Sequence, residues 1–131
     1  MPPPIVDVAW WRANLPDAIV CEVGSTMGGT DPVAAFERAH VPGARFVSLE
    51  DDLSDPPAPG QGRHPLPAPA AFAGVLGRLG VGVGTPVIAV DRQGGALASR
   101  LVWMLRVLDR PAALLDGGVA SWDGPTETGP V

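Results

Sequence analysis

"AVDRQGGALASR", residues 89–100, indicates a strand that ends in a glycine turn and passes directly into an apolar helix. Gly94 and Gly95 allow backbone conformations that are closed to residues with a Cβ, so several N–H groups can point into the turn. The start of the following helix adds free N–H groups and the positive end of its dipole. Such a turn suits binding an anion or activating a nucleophile, although the same layout also serves as a plain connection between strand and helix.

Asp91 begins this turn, at the position where a nucleophile would stand. A cysteine there would be a low-pKa thiolate, able to hold a transferred sulfur or phosphoryl group. A carboxylate gains the same electrostatic stabilisation, but it cannot carry a persulfide. We therefore predict that Asp91 has a structural task and accepts hydrogen bonds from the N–H groups of the turn, as an N-cap residue does.

Short apolar strands alternate with helices along the rest of the chain. This alternation predicts a mainly parallel sheet with helices on both faces, in which a ligand would sit at the carboxyl ends of the strands, where Asp91 lies. Leu97, Leu101, Met104, Leu105 and Leu108 form one apolar stripe at helical spacing. We predict strands within residues 18–23, 40–49, 85–90 and 112–118, helices over residues 8–15, 33–38, 70–80 and 96–108, and a helical turn at 119–122.

Length and composition indicate one folded domain. A chain of 131 residues with 46% hydrophobic and 18% charged residues is long enough to bury one core. Glycine and proline together number 33, but they fall between the apolar segments, where turns belong. The single cysteine excludes an internal disulfide and favours the reducing cytoplasm.

Several classes of partner are disfavoured by charge and spacing. A net charge of −5 argues against nucleic acid and anionic membranes as partners. No apolar run approaches the roughly 20 residues that span a bilayer, and the N-terminus does not resemble a secretory signal. One cysteine and two distant histidines predict no metal site, and without a GxGxxG or GKS/GKT fingerprint we predict no cofactor.

Four further side chains each have a functional and a structural interpretation. Cys21, the only thiol, could carry sulfur, but its place inside a predicted strand favours inert packing. His40 could act as an acid or base, or it could hydrogen-bond the following turn. Arg92 and Arg100 flank the glycine turn and could attract anions or pair with nearby carboxylates.

Segments throughout the chain, in the right order, resemble the rhodanese (thiosulfate sulfurtransferase) family. Glu22 stands where that family commonly has aspartate, and Ala39 where it usually has glycine. The resemblance implies an α/β, rhodanese-like three-layer α/β/α fold, with a single domain over residues 1–124 and a tail, 125–131, that resembles the start of an interdomain linker. It is carried by "VDVAWWRANL" (6–15), "AIVCEV" (18–23), "HVPGA" (40–44), "FVSLEDDLSD" (46–55), "GRHPLP" (62–67), "VDRQGG…ASR" (90–100) and "LLDGGVASW" (114–122).

The family chemistry that the resemblance implies is transfer of sulfane sulfur from thiosulfate or mercaptopyruvate to a thiophilic acceptor such as cyanide. A persulfide forms on the first cysteine of a central loop, and Asp91 occupies that cysteine's position here. The stretch equivalent to the active-site loop is Asp91, Arg92, Gln93, Gly94, Gly95 and Ala96. In two-domain relatives, an N-terminal domain without the cysteine packs against a C-terminal domain that has it.

Residues 50–69 form a long polar, proline-rich loop of a length that is often functional, although its second half could equally be an extended linker. In two-domain relatives this loop lies near the partner domain's active site. Arg63, next to His64, could therefore position an anionic substrate, because a guanidinium suits a planar carboxylate. The alternative is a solvated loop arginine. Trp10, Trp103 and Trp122 are interpreted as core or interdomain anchors.

Three hypotheses follow. The first is a catalytically silent rhodanese domain, the N-terminal half of a two-domain thiosulfate or mercaptopyruvate sulfurtransferase. It would support and partly line the active site of a cysteine-bearing domain, in the same parent chain or a separate one. The second is a non-standard sulfurtransferase that uses Cys21. The third is a stand-alone binding or regulatory module that uses the Asp91 loop. Under the first, the apolar surface of the helix over residues 96–108 would be exposed, and isolated chains would form homodimers or aggregate.

Overall fold

A computed structural model of the protein contains one five-stranded sheet in the order β1-β5-β4-β2-β3, with every neighbouring pair of strands parallel. It describes residues 1–57, 59–60 and 62–130. Ala58 and Gln61 of the predicted long loop, and Val131 of the predicted tail, lie outside the described residues. The strands are β1 (Ile5–Val6), β2 (Ile19–Gly24), β3 (Arg45–Ser48), β4 (Val87–Val90) and β5 (Ala112–Leu115).

Five helices cover the two faces of this sheet, which confirms the predicted three-layer α/β/α class. Alternate residues of each strand point to opposite faces, so the sheet has a core on each side. In β2, Cys21 and Val23 belong to the cluster that α4 and α5 cover, while Val20 belongs to the cluster that α1 covers. The helices are α1 (Val8–Asn14), α2 (Pro32–Arg38), α3 (Leu49–Asp52), α4 (Pro69–Leu79) and α5 (Ala98–Val107), with 3₁₀ turns at Met27–Gly29 and Gly118–Ser121.

Helix ends follow the local signals of the sequence. Asp31 caps α2, because its carboxylate accepts a hydrogen bond of 3.0 Å from the N–H of Ala34, and Pro32 occupies the first helical position. Gly80 ends α4 in the left-handed conformation, with φ of 77°. Both caps use residue types that favour these positions, an aspartate before a proline at the start of a helix and a glycine at its end.

The predicted apolar stripe of α5 is buried except at its last residue. Leu101 and Leu105 are fully buried, but Leu108 is 53% exposed. The helix ends at Val107, so Leu108 lies in its C-cap, after the last helical residue.

Two elements were not predicted from the sequence. β1 has only two residues, too few for a recognisable period, and it is placed by pairing with β5 at the edge of the sheet. α3 is one helical turn inside the predicted long loop, started by Ser48, whose hydroxyl accepts a hydrogen bond of 3.0 Å from the N–H of Asp51. Within the described ranges, every helix is too short or too polar to serve as a membrane span.

Candidate functional site

The Asp91 carboxylate lies at the carboxyl end of β4 and is 1% exposed. Its Oδ1 accepts hydrogen bonds of 2.9 Å from the backbone N–H groups of Gln93 and Gly95. Its Oδ2 accepts bonds of 2.9 and 2.8 Å from the N–H groups of Leu97 and Ala98, at the start of α5. Four backbone donors therefore converge on one side chain.

This arrangement is an anion site that the protein fills with its own carboxylate. The N–H groups that point inward from the turn, together with those at the helix start, would otherwise bind an anion from solution. Because each carboxylate oxygen accepts two bonds, these four donors are used by a group that cannot be displaced. The N-cap-like geometry predicted for Asp91 is what the structure has.

The 3₁₀ turn after β5 closes over the same residue. The backbone oxygen of Asp91 accepts a hydrogen bond of 3.0 Å from the N–H of Val119. Gly118, with φ of 62°, brings its Cα so close that a Cβ there would collide with this oxygen. The segment after β5 thus fixes the position from which the Asp91 turn starts.

Arg92 pairs with a buried carboxylate. Its Nε donates to Oε2 of Glu22 at 2.9 Å, and its Nη2 donates to the other Glu22 oxygen and to the carbonyl of Ala39. Glu22 is 2% exposed, so the pair compensates a carboxylate that would otherwise be buried alone. Arg92 therefore pairs with a nearby carboxylate, which was one of its two predicted roles. The rest of the turn (Gln93, Gly94 and Ala96) is exposed.

Cys21 lies in the middle of β2, between Arg45 of β3 and Ala89 of β4. The residue is 1% exposed. Burial raises the pKa of its thiol to about 12, although the charge of Arg45 acts in the opposite direction. At neutral pH the thiol is therefore protonated and enclosed, which is the environment of an inert structural cysteine.

We expect Cys21 to be silent toward thiol reagents in the native protein. The buried, protonated thiol cannot form the thiolate that attacks a disulfide reagent such as dithionitrobenzoate. The absorbance should stay flat in buffer and rise by one thiol equivalent in guanidinium chloride. Rapid release of the chromophore from the folded protein would contradict this assignment.

His40 serves the fold. Its ring is stacked on that of Phe36 with a centroid separation of 4.0 Å, and its Nδ1 is 2.9 Å from the Phe36 carbonyl oxygen. Its backbone forms an antiparallel bridge with Glu127, and the N–H of Gly129 donates to the carbonyl of Glu37. These bonds hold residues 127–129 against α2.

A cleft of about 570 Å³ lies at the carboxyl ends of β2 and β3. Glu50 lines it and accepts a hydrogen bond of 2.6 Å from the Ser25 hydroxyl and one of 3.0 Å from the N–H of Thr26. His64 Nε2 lies 3.4 Å from the same carboxylate. The cleft is lined by Thr26, Met27, Glu50, Asp51, Ser54, Asp55, Pro56, Pro57, Arg63 and His64.

Of the predicted pair, Arg63 is exposed, whereas His64 is held by contacts with neighbouring residues. His64 is held from two sides, because Nη2 of Arg100 also donates to its carbonyl oxygen at 2.7 Å. Arg63 lines the cleft with an exposed side chain that forms no hydrogen bond or ion pair with the residues described. The neighbouring anchor fixes the backbone from which the Arg63 guanidinium extends.

Glu50 and Ser25 were not identified from the sequence. The signal was present, since each follows a strand closely and β2 and β3 are neighbours in the sheet. The carboxyl ends of adjacent parallel strands meet at one edge, which brings the residues after them together. The sequence order of the strands did not reveal which strands are neighbours.

We expect the stabilising effect of Glu50 to depend on pH. Partial burial raises the pKa of this carboxyl, but the hydrogen bonds from Ser25 and Thr26 and the charge of His64 outweigh it, so the pKa is lowered. A lowered pKa in the folded state stabilises the fold above the usual value of about 4.3, and this contribution is lost as the pH falls through the lower value.

Glu50→Gln should therefore lower the free energy of unfolding near pH 7, and the difference from wild type should shrink as the pH falls below the usual carboxyl value of about 4.3. Urea denaturation at pH 3 to 7 measures both. Asp51→Asn is the matched control, because this neighbouring carboxylate is exposed and holds no partner among the described residues. If the difference in free energy of unfolding between Glu50→Gln and wild type stayed constant from pH 7 to pH 3, the ionised Glu50 carboxylate would not be what stabilises the fold.

The chain is similar to sulfurtransferases over nearly its whole length. It is 36% identical to the 3-mercaptopyruvate sulfurtransferase of Homo sapiens, over 90% of this chain and 35% of that protein. It is 32% identical to thiosulfate/3-mercaptopyruvate sulfurtransferase 2 of Arabidopsis thaliana, over 91% of this chain and 35% of that protein. No family model matches the chain.

A solved structure shares the architecture. The crystal structure of SseA from Escherichia coli superposes on this chain with a TM-score of 0.82 at 29% identity. Its description assigns it the "rhodanese" fold of the 3-mercaptopyruvate sulfotransferases. The match covers 99% of this chain and 52% of SseA. The chain spans about two fifths or less of the length of the curated relatives it matches.

Proposed function

This chain is a rhodanese-fold homologue of the thiosulfate and 3-mercaptopyruvate sulfurtransferases, and on that premise we propose that it is a catalytically silent sulfurtransferase domain. The persulfide would be carried by a cysteine of another domain, which this domain supports and whose active site it partly lines. The reaction of the assembly would be transfer of sulfane sulfur from thiosulfate or mercaptopyruvate to a thiophilic acceptor.

The observation that carries this proposal is the filled Asp91 turn. A persulfide-bearing loop needs a nucleophilic sulfur at its start and free N–H groups to stabilise the charge that develops there. In the equivalence that the resemblance implies, the Asp91 carboxylate replaces the cysteine sulfur, and its two oxygens accept all four converging N–H bonds. These four donors are therefore not available to a persulfide, and the turn has no thiol to carry one.

The state of the only thiol supports the same proposal. A sulfur carrier must be ionised and reachable by its donor, whereas Cys21 is enclosed in the sheet and its pKa is about 12. A non-standard reaction through Cys21 would require the helices α4 and α5 to move away from the sheet face on which this side chain lies. Because the sequence has one cysteine, it cannot form an internal disulfide, and we propose the reducing cytoplasm as its location.

The cleft gives the silent domain a task. Its exposed Arg63 supplies a cation suited to the planar carboxylate of mercaptopyruvate or to the oxygens of thiosulfate. His64 sets the backbone next to it through Glu50. We propose that a donor bound to the cysteine-bearing domain is held from this side by Arg63.

Intact-mass spectrometry of the reduced chain after incubation with thiosulfate or mercaptopyruvate tests the proposal, together with a cyanide assay for thiocyanate. We expect the mass to stay that of the unmodified chain and no thiocyanate to form. A gain of one sulfur atom that cyanide removes as thiocyanate would place a working carrier on Cys21 and overturn the proposal. Cys21→Ser, measured in parallel, would then abolish that gain.

A further inference from the structure

Trp103 of α5 lies at the centre of an apolar surface on the outside of the protein. Its side chain is 54% exposed, so it is not part of either core. Three adjoining hollows all have Trp103 in their walls. We call this the Trp103 surface; its large exposed apolar side chains are Ile5, Met27, Leu66, Trp103, Val107 and Leu108.

The charge of the Trp103 surface is opposite to that of the protein as a whole. The chain has 14 acidic and 9 basic residues, yet three arginines and no acidic residue line the three hollows among the described residues. The arginines are Arg100, Arg106 and Arg110. A partner that covers this surface must therefore be apolar and must carry negative charge at its edge.

Arg100 shows where that charge is needed. Its Nη2 donates to a backbone carbonyl of His64, but its Nε is buried without an acceptor, and no carboxylate of a described residue lies within 4.0 Å. Arg106 likewise donates only to carbonyl oxygens, those of Pro2 and Ala112. Guanidinium groups that are partly desolvated and unpaired with a carboxylate favour a partner that supplies one.

The Trp103 surface is continuous with the candidate site. Met27 belongs both to the hollow around Arg100 and to the cleft of Arg63. The same hollow includes Ala96 and Leu97 of the Asp91 turn. A body seated on Trp103 would therefore border the cleft directly.

We propose that the Trp103 surface is where the cysteine-bearing sulfurtransferase domain docks, through an apolar face with a carboxylate that pairs with Arg100. This inference rests on the proposed function and adds the surface and its chemistry. The curated relatives are more than twice as long as this chain, which leaves room for a domain of that size. A second copy docked face to face would instead bring the same three arginines together.

A chimera tests this surface with the whole chain in place. The matching half of E. coli SseA is replaced by this chain, and mercaptopyruvate:cyanide sulfur transfer and thermal unfolding are measured. Trp103→Glu and Arg100→Glu each place a negative charge against the proposed partner. We expect either one to reduce the activity at least tenfold and to split a single unfolding transition into two.

The controls separate local from interdomain effects. Val83→Glu alters another exposed apolar residue, 75% exposed and outside all three hollows, and should leave activity and unfolding unchanged. The isolated 131-residue chain carrying Trp103→Glu should keep its circular dichroism spectrum and melting temperature, because more than half of the Trp103 side chain is exposed to solvent.

Each outcome decides a different statement. An active chimera that tolerates both Trp103→Glu and Arg100→Glu would overturn the docking surface and leave the proposed function standing. A chimera whose two halves unfold independently and without activity, even with the unaltered chain, would count against the proposed function itself. Homodimers of the isolated chain that Trp103→Glu dissociates, together with a chimera whose activity tolerates Trp103→Glu, would assign the surface to a second copy and overturn the proposal.

Discussion

Asp91→Ala should destabilise the protein by about 3–5 kcal/mol, which is a large part of the 5–15 kcal/mol typical of a folded domain. The substitution removes the acceptor of four backbone N–H bonds at once, and two of the donors, the N–H groups of Leu97 and Ala98, stay buried at the start of α5. A buried donor left without a partner costs roughly 1–3 kcal/mol, and water entering the small cavity offsets part of the sum. Urea denaturation measures the loss.

Formate should restore part of this stability. It has the shape and charge of the missing carboxylate and fits the donors that Asp91→Ala leaves free. The denaturation midpoint of Asp91→Ala should therefore rise with formate concentration, while that of the wild type changes only as it does in chloride of equal ionic strength. Asp91→Asn, which keeps one acceptor oxygen, should fall between the two proteins in stability.

Asp116→Ala is the matched control for this prediction. Asp116 follows β5, the neighbouring strand, but its side chain is exposed, and the change should cost less than about 0.5 kcal/mol. If Asp91→Ala were as stable as Asp116→Ala, the carboxylate would not be what organises the turn. The interpretation of this turn as an internally filled anion site would then be wrong.

Gly118→Ala should destabilise the protein by about 2–4 kcal/mol and loosen the Asp91 turn. A positive φ costs a residue with a Cβ roughly 1–2 kcal/mol, and here the added methyl group also meets the backbone oxygen of Asp91. Backbone atoms of a buried strand end cannot move aside as a flexible side chain can. The expected result is a lower melting temperature and faster amide hydrogen exchange at Gly95 and Leu97.

Gly94→Ala measures the cost of the positive φ alone, without the close contact. Gly94 also has a positive φ, of 70°, but a Cβ there would meet no atom within 4 Å. The substitution should cost only the backbone term of about 1 kcal/mol. Equal losses for Gly118→Ala and Gly94→Ala would mean that the close approach to Asp91 contributes nothing.

The predicted rhodanese-like α/β fold is confirmed, because its signals are local and repeated. A nearly continuous apolar run in β2 indicates burial on both faces, and apolar residues at a period of 3.6 in α5 indicate burial of one face. Capping is equally local: Asp31 and Gly80 act within one helical turn. The Asp91 turn also belongs here, since its glycines, its carboxylate and its four N–H donors lie within eight residues.

The exposed apolar residues of α5 and its C-cap show what a local pattern cannot predict. The apolar character of residues 103, 107 and 108 does not predict whether another element covers them. In the structure, all three side chains are more than half exposed. Burial depends on what packs against a face, and that is decided by elements far away in the chain.

The sequence by itself determined the class of the fold, the position of the Asp91 turn and the absence of a sulfur carrier from it, because each depends on residues close together in the chain. Only the tertiary structure decided which distant residues meet. It joined Ser25 to Glu50, 25 residues apart, and Arg92 to Glu22, 70 residues apart. Strand order in the sheet sets these encounters, and that order arises from the packing of the whole chain, which no single segment encodes.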